Sequence, residues 1–512
     1  MCVRRHGRWV NYAGGLLAMM SLLLPGSALV AQEAATMTLT EAIALARRNN
    51  PDYLAQQNDA GVADWAVREA YGALLPGASV STSFGWQGAG TPRFGIFTGD
   101  DFGIGETTSY YSSSYSLGLN YRLSGASLMA PKQERANRRA TEATIDAAGS
   151  ALDRAVTTQY LTVLRAQDGV TLARAELERA KENLKYAQAR VEVGAAIALE
   201  TKQAQVETGR TEVALLQAEN AVQVELHRLM QEIGLPLERP VQLTSKFSVL
   251  ELPFTQQDLI LMAAERNPEL RSARARSEAS ASAVRMARTA YLPSLNVSAG
   301  WSGFTRQAAN DEFLVQQALD QVDSQVASCQ LMNQISSGLT RPLPGTPANC
   351  SAFTLTPEQE ARIRAGNQVF PFDFTREPLG LSLSLSLPIF QGFSRERQIE
   401  EAKAFRSDAE HRLRAEQLRI RTEVTTGYLA TVTAQKSVAL EEGNRQLADE
   451  QLAVARERYR VGVGTFLELR EAETVKARAD RAYLNAVYEF QLALSGLETA
   501  VGRPLRPAGE TR

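Results

Sequence analysis

The chain repeats itself over nearly its whole length, and that sets the scale of the fold. Arg48-Asn49-Asn50-Pro51-Asp52-Tyr53-Leu54 returns, altered, as Glu265-Arg266-Asn267-Pro268-Glu269-Leu270. Asn50-Pro51 and Asn267-Pro268 lie 217 residues apart, as do Leu75-Pro76 and Leu292-Pro293. Later matches run at an offset of 268: Val193-Gly194 with Val461-Gly462, Leu199-Glu200 with Leu467-Glu468, and Gly234-Leu235-Pro236-Leu237 with Gly502-Arg503-Pro504-Leu505. The second copy therefore holds about 50 extra residues in one place. A duplicated unit of this length is a structural half rather than a short solenoid repeat. The expected division is 32–254 and 255–512.

Residues 1–31 read as a secretory signal peptide. Arg4, Arg5 and Arg8 precede an apolar run from Leu16 to Leu24, Pro25-Gly26 breaks it, and small residues follow to Ala31. The run is short for a bilayer span; an uncleaved anchor helix from Trp9 is the other reading. Removal of the leader leaves 52 basic and 57 acidic residues, net −5, which offers nothing to nucleic acid. It also leaves two cysteines, Cys329 and Cys350, both in the extra segment of the second copy. An even pair in an exported chain reads as a disulfide that closes a surface loop. No later stretch has about 18 consecutive apolar residues, so a membrane would have to be crossed by strands.

Each half opens with a short helix whose start fits a capping box, Thr38 with Glu41 and Thr255 with Asp258. The Asn-Pro pair ends or kinks it. A second helix runs to Leu74 or Tyr291, where Pro76 or Pro293 stops it. Period-2 segments follow, expected as strands at about 78–90, 110–123, 294–304 and 379–390. Val80, Phe84 and Trp86 alternate with Ser79, Ser81 and Ser83; Leu381, Leu383 and Leu385 alternate with Ser382, Ser384 and Ser386. One apolar face and one small polar face over about ten residues is the pattern of a transmembrane β-strand; a soluble sandwich, whose strands also alternate, is the other reading. Trp86 and Trp301 read as bilayer-interface aromatics. Each half then becomes strongly helical, with long helices expected at 127–193 and 394–461 and return helices at 197–233 and 465–501. A helix of some 68 residues is on the order of 100 Å long, which suits a coiled-coil tube and no compact domain.

Four strands cannot close a barrel, and an open sheet in lipid leaves costly unpaired edges. Two chains supply eight strands, whose interior side chains would just fill. The Ser- and Gly-lined face asks for an open lumen, hence three or more copies. The fold class expected is mainly α with membrane β: four strands per chain in an oligomeric barrel, beside long coiled-coil helices in two internal repeats.

The order helix, strand pair, very long helix, turn and return helix, twice over, resembles the TolC family of outer-membrane efflux and secretion channels. The resemblance covers essentially the whole chain after the leader. It rests on the two Asn-Pro and Leu-Pro pairs, Leu387-Pro388-Ile389-Phe390-Gln391-Gly392 after the fourth strand, and Tyr459-Arg460-Val461-Gly462 at the helical turn. It implies a homotrimer, a trimeric 12-stranded β-barrel continued by a long α-helical coiled-coil periplasmic tunnel, in the outer-membrane lipid of a Gram-negative cell. The implied partners are a periplasmic adaptor (membrane fusion) protein and an inner-membrane pump of the RND or ABC class. The implied function is an exit duct for small molecules or, in type I secretion, for proteins. Two features depart from the family. Tyr121-Arg122-Leu123-Ser124-Gly125 lacks the proline often found there, and the segment 306–378 is far longer than its counterpart 91–109. Strand topology places both segments at the extracellular mouth. Whether the longer one plugs the mouth, shields it or binds a surface partner stays open.

By the same resemblance Tyr459 is a constraint residue at the periplasmic gate, with Glu468, Glu471 and Glu200 as acidic groups near it. A basic partner that the family can place there is replaced by Gly464. Other readings stand beside these: Thr465 with Glu468 fits a capping box, Glu471 suits a solvated helix face, and Tyr459 suits ordinary packing. Val193, Gly194, Val461, Gly462, Gly464 and Thr465 are the implied adaptor-docking tips, and glycine also simply permits a tight turn. No catalytic, cofactor or metal site is expected: after the leader only His227 and His411 remain, without metal-ligand spacing. From another class, a barrel-anchored trimeric coiled-coil stalk with an adhesive or structural role is the alternative.

Overall fold

The structure is a computed structural model. It describes residues 35–91, 93–102, 106–237, 241–245, 247–341, 344–345 and 349–506. The proposed leader, 1–31, lies outside the described residues.

The first half begins with β1 (Ala35–Met37), α1 (Leu39–Asn49) and α2 (Pro51–Gly72). Two antiparallel strands follow, β2 (Gly77–Gln87) and β3 (Tyr110–Leu123), then α3 (Gly125–Glu192) and its return, α4 (Ala198–Ile233). A parallel pairing of β4 (Val241–Leu243) with β1 ties the two ends of this half together. The second half runs α5 (Gln256–Arg266), α6 (Pro268–Arg288), β5 (Ser294–Ala308), α7 (Asp311–Ser337), α8 (Pro357–Gly366), β6 (Thr375–Arg376), β7 (Gly380–Ser386), α9 (Ser394–Arg460) and α10 (Phe466–Val501). With 68 and 67 residues, α3 and α9 each run about 100 Å. Pro131 lies in the second turn of α3, where a single backbone donor is lost. Among the described residues no helix is long and apolar enough to cross a membrane.

The main sheet has the order β2–β3–β5–β7, every neighbouring pair antiparallel, with β6 pairing β5 beyond the end of β7. Register sorts the side chains into two faces, because paired residues of antiparallel strands share a face. Val80, Leu117, Trp301, Leu119 and Leu381 lie on one face. On the other, serine pairs zip the strands: Ser81–Ser116 at 2.7 Å, Ser83–Ser114 at 2.8 Å and Ser298–Ser382 at 2.7 Å. Among the described residues both outer strands, β2 and β7, keep one unpaired edge.

The segment 306–378, expected as a loop, is substantially structured. β5 runs on to Ala308, α7 and α8 follow, and Cys329 and Cys350 are joined with an S–S distance of 2.08 Å. The fourth strand is shorter than its alternating pattern suggests, since β7 ends at Ser386 before Pro388.

The buried core sits partway along the helices, about 33 Å from the sheet, because the 22 residues of α2 lie between them. In the first half Leu39, Ala42 and Ala46 of α1 pack on Val156, Tyr160, Leu229 and Ile233. In the second, Leu259 and Ala263 of α5 pack on Phe490, Leu494, Leu497 and Val501. Both sites rest on the same device. Asn50 caps α2 by accepting the Tyr53 N–H at 3.0 Å, while its amide donates to the Glu232 carbonyl in the last turn of α4 at 2.8 Å. Asn267 does the same between α6 and α10, accepting from Leu270 N–H at 2.9 Å and donating to the Ala500 carbonyl at 2.9 Å. The return helix thus abuts the second helix of its own half, end to end. Gly234 and Gly502 end α4 and α10 with φ of +83° and +81°. A Cβ on Gly234 would lie 2.4 Å from the Asn49 carbonyl oxygen, and one on Gly502 2.7 Å from that of Arg266.

Candidate functional site: the hairpin tips

Far from the sheet, each long helix turns back. α3 ends at Val193 and Gly194, with φ of +72° at the glycine; α9 ends at Val461 and Gly462, with φ of +81°. Positive φ is cheap only for glycine, so both turns are set by sequence. In the second turn, the N–H groups of Val463 and Gly464 both donate to the Arg458 carbonyl, at 3.0 and 2.9 Å. Gly464 is closely covered, since a Cβ there would sit 3.0 Å from Arg458 Cβ and 3.1 Å from Tyr459 N. The turn itself therefore resists a larger side chain at 464.

Thr465 caps α10 by accepting the Glu468 N–H at 3.2 Å. The reciprocal half of the box is not made: the Glu468 carboxylate turns to Arg458, 3.7 Å away. At the first tip, Ile197 stands in the cap position of α4 and provides no side-chain hydrogen bond. Glu468 and Glu471 lie along one shallow groove with Glu450, Gln451, Leu447 and Arg458.

Tyr459 joins the two tips. It is buried, 3% exposed, in a small cluster with Leu452, Phe466 and Leu469, although Arg458 and Arg460 beside it in the chain are exposed. Its hydroxyl donates to Glu200 Oε2 at 3.0 Å, across from α9 to the start of α4. The Arg190 guanidinium lies 4.4 Å above its ring, within cation–π range, and donates to the carbonyls of Tyr459 at 3.4 Å and Ala195 at 3.2 Å. Phe466 packs 5.9 Å from the same ring. Burial, and then the Glu200 hydrogen bond, push the Tyr459 phenol above its ordinary range, so it stays a donor at neutral pH. Of the residues anticipated from sequence, Tyr459 and Glu200 meet directly. Glu468 and Glu471 share the groove outside them. The two glycines and two valines make the turns.

Arg190 was not anticipated. Its signal was present: Arg190 precedes Glu200 by ten residues, as Arg458 precedes Glu468. Nor was the polar seam above it. Arg190, Asn183, Glu176 and Asp168 fall seven, seven and eight residues apart on α3, so they share one stripe over about 33 Å. Across that stripe Asn183 bonds Glu473, Arg481 lies 3.4 Å from Glu176, and Tyr488 donates to Asp168 at 2.6 Å. Burial pushes the carboxyls of Glu473 and Glu176 upward. The phenol of Tyr488 is raised by burial and by Asp168. Among the described residues no group of three or more side chains could hold a metal ion. The arrangement can latch one helical hairpin to the other and present acidic groups beside the latch.

The sequence model of the family described as "Outer membrane efflux protein" matches residues 42–235 and 363–503. Solved structures share the fold at low identity. The outer membrane channel CmeC of Campylobacter jejuni is 16% identical with a TM-score of 0.66, over 91% of this chain and 85% of that one. The MtrE outer membrane channel of Neisseria gonorrhoeae, in an open state, is 18% identical with a TM-score of 0.65, over 92% and 90%. The outer membrane protein VceC of Vibrio cholerae is 17% identical with a TM-score of 0.63, over 91% and 97%. No curated protein sequence matches the chain.

Proposed function

Because the chain belongs to the outer membrane efflux protein family, we propose that three copies close their sheets into one twelve-stranded barrel continued by a helical tunnel. The chain is an outer-membrane exit duct of an efflux system, reaching into the periplasm. One observation carries the trimer: a sheet of four long strands with an apolar face, a serine-lined face and two outer edges unpaired among the described residues. In lipid each unpaired backbone group costs several kcal/mol, and edge-to-edge closure removes that cost. A lumen lined by serine favours twelve strands over eight, whose interior would fill.

The activity we assign is passage, not catalysis. The tips form the periplasmic gate. Tyr459 latches the two hairpins of one chain through Glu200 and Arg190. Glu468 and Glu471, repeated three times, ring the throat and favour cations. Val193, Gly194, Val461, Gly462, Gly464 and Thr465 form the surface that receives a periplasmic adaptor, which couples the duct to an inner-membrane RND or ABC pump. Exposed apolar side chains at both tips support that role, with Val193, Val461 and Val463 at 78%, 57% and 72% exposure.

Single-channel recording of the purified protein in planar bilayers tests this reading. Small, cation-selective currents are expected, with selectivity reduced in the Glu468→Ala/Glu471→Ala double variant. Folded protein that never conducts would overturn the duct. Unaltered selectivity in the double variant would return both glutamates to a solvated helix face.

A further inference from the structure

The apolar face of the sheet is interrupted near the extracellular mouth. Ser113 and Thr305 are paired across β3 and β5, share that face with Phe84, and yet are only 2% exposed. What covers them is the returning chain after α8. Phe370 packs tilted on Tyr111 at 5.5 Å and edge-on to Phe84 at 6.4 Å. Phe372 meets Phe84 edge-on at 6.5 Å, and Phe374 meets Tyr115 at 4.8 Å. The backbone is fastened too: Ser113 Oγ donates to the Pro371 carbonyl at 2.6 Å, and Phe370 N–H donates to Gln307 Oε1 at 2.9 Å. The segment 370–374 is a strap laid across the outside of the sheet, from β2 back toward β5.

Its height is set by the register. Leu295 begins the apolar face at the helical end of β5, and Thr305 lies ten residues further on. Ten residues rise about 33 Å along a strand, or about 25 Å along the axis at the usual tilt, which is the height of an outer-membrane apolar band. The strap therefore lies at the outer rim of that band. Aromatic rings belong at this level, where an apolar body meets a hydrated boundary. Phe372 and Trp86 remain 72% and 67% exposed there. Arg376, in register with Gly303 on the same face, is exposed beside them and long enough to reach toward phosphate.

We propose that the strap Phe370–Phe374 is a lipid-contact site that seats the mouth of the barrel in the outer leaflet, with Phe372 inserted at the boundary between headgroups and acyl chains. It masks the hydroxyls of Ser113 and Thr305, which would otherwise face hydrocarbon, and extends the lipid-facing surface of the strands. The occupant is lipid, since this surface continues the apolar face of the sheet. The proposal rests on the barrel reading above.

The test is depth-dependent quenching in phosphatidylethanolamine/phosphatidylglycerol vesicles. An environment-sensitive fluorophore is attached to Phe372→Cys, with Leu381→Cys as a mid-strand reference, Ile96→Cys as an exposed loop reference, and the unsubstituted protein as blank. Ile96 is 92% exposed. Nitroxide lipids labelled near the glycerol backbone should quench position 372 at least twofold more than lipids labelled near the chain end. Position 381 should show the reverse order, and position 96 should respond only to aqueous iodide. If 372 behaves like 96 while 381 is quenched by lipid, the strap is not a lipid site and the barrel stands. If 372 is shielded from both lipid and iodide, a neighbouring copy covers it and the proposal fails in the same way. If 381 is not quenched by lipid, the barrel reading itself falls.

Discussion

The two halves of the chain agree partway along the helices, where each return helix ends, and disagree at the tips. At the end of each return helix Asn50 with Gly234, and Asn267 with Gly502, build the same joint twice, with hydrogen bonds of 2.8 and 2.9 Å to its last turn. At the tips, the positions equivalent under the repeat have been put to different uses. Arg458 and Glu468 face each other across their own hairpin. Arg190 and Glu200, their counterparts, are both taken up by Tyr459 of the other hairpin. The position equivalent to Tyr459 in the first half is Val191. A joint that only holds helices end to end has the same task in both halves. A tip that meets its sibling on one side has a task that symmetry cannot divide equally, and one aromatic residue separates the two tips.

The comparison breaks most visibly at the glycines. Gly234→Ala and Gly502→Ala each force a side chain into left-handed geometry, at about 1–2 kcal/mol, and drive a Cβ into facing backbone, which adds about 1–3 kcal/mol. Thermal denaturation should show each variant destabilised by about 3 kcal/mol, and the two alike. Asn50→Ala and Asn267→Ala should follow at about 2 kcal/mol each, from a lost cap of about 1 kcal/mol and an orphaned carbonyl of at least about 1 kcal/mol. A large difference between the two members of either pair would show that the joints are not equivalent.

The next effect is read as a slope. Burial holds the Glu473 carboxyl above its ordinary range, against the pull of Asn183 and Arg456. The folded chain then keeps that proton to higher pH than the unfolded chain, so stability falls as pH rises from the unfolded value, about 4.3, through the folded one. Glu473→Gln removes that contribution. Its stability should decline less than the parent's between pH 4 and pH 7; an unchanged decline would place the pH dependence elsewhere. Tyr459→Phe keeps the ring under Arg190 and deletes the bond to Glu200. A hydrogen bond to a partly exposed carboxylate is worth about 1.5 kcal/mol, roughly tenfold in the open population. Open-channel probability in bilayers should rise by that order, and no rise would make Tyr459 packing alone.

Much of this was legible because periodicity is a property of sequence. The alternation of Leu381–Ser386 and the long helical stretches identify sheet and helix without tertiary knowledge, and duplication fixes their order. The joint was half legible. Asn-Pro marks a helix boundary, but the second role of the asparagine, donating into a helix 182 residues away, depends on which helix end lies opposite. Gly234 and Gly502 were visible as a matched pair without their reason. The resemblance singled out Tyr459 and Glu200 but not their contact, which, like Arg190 and the seam Asn183–Glu473, required knowing which hairpin faces which. The strap over Ser113 was illegible, since nothing local in Phe370–Phe374 says which surface it will cover.

The smallest expected effect lies in the caps. Thr465 caps α10 and Ile197 leaves α4 uncapped. Thr465→Ala should cost about 1 kcal/mol locally, and Ile197→Thr should gain a similar amount or less. Hydrogen exchange in the first turn of each return helix reads both. If stability alone shaped the tips, Ile197→Thr would be an improvement without penalty. Ile197 is 65% exposed, beside Leu199 at 57% and Val193 at 78%. An apolar residue kept in a position that prefers a hydroxyl, on a surface that water covers in the isolated chain, fits a tip that another protein covers. Ile197→Thr should therefore slow exchange in α4 and yet weaken adaptor-dependent resistance of cells to toxic compounds. Slower exchange with resistance intact would remove the first tip from the docking surface and leave the second, capped tip to carry it.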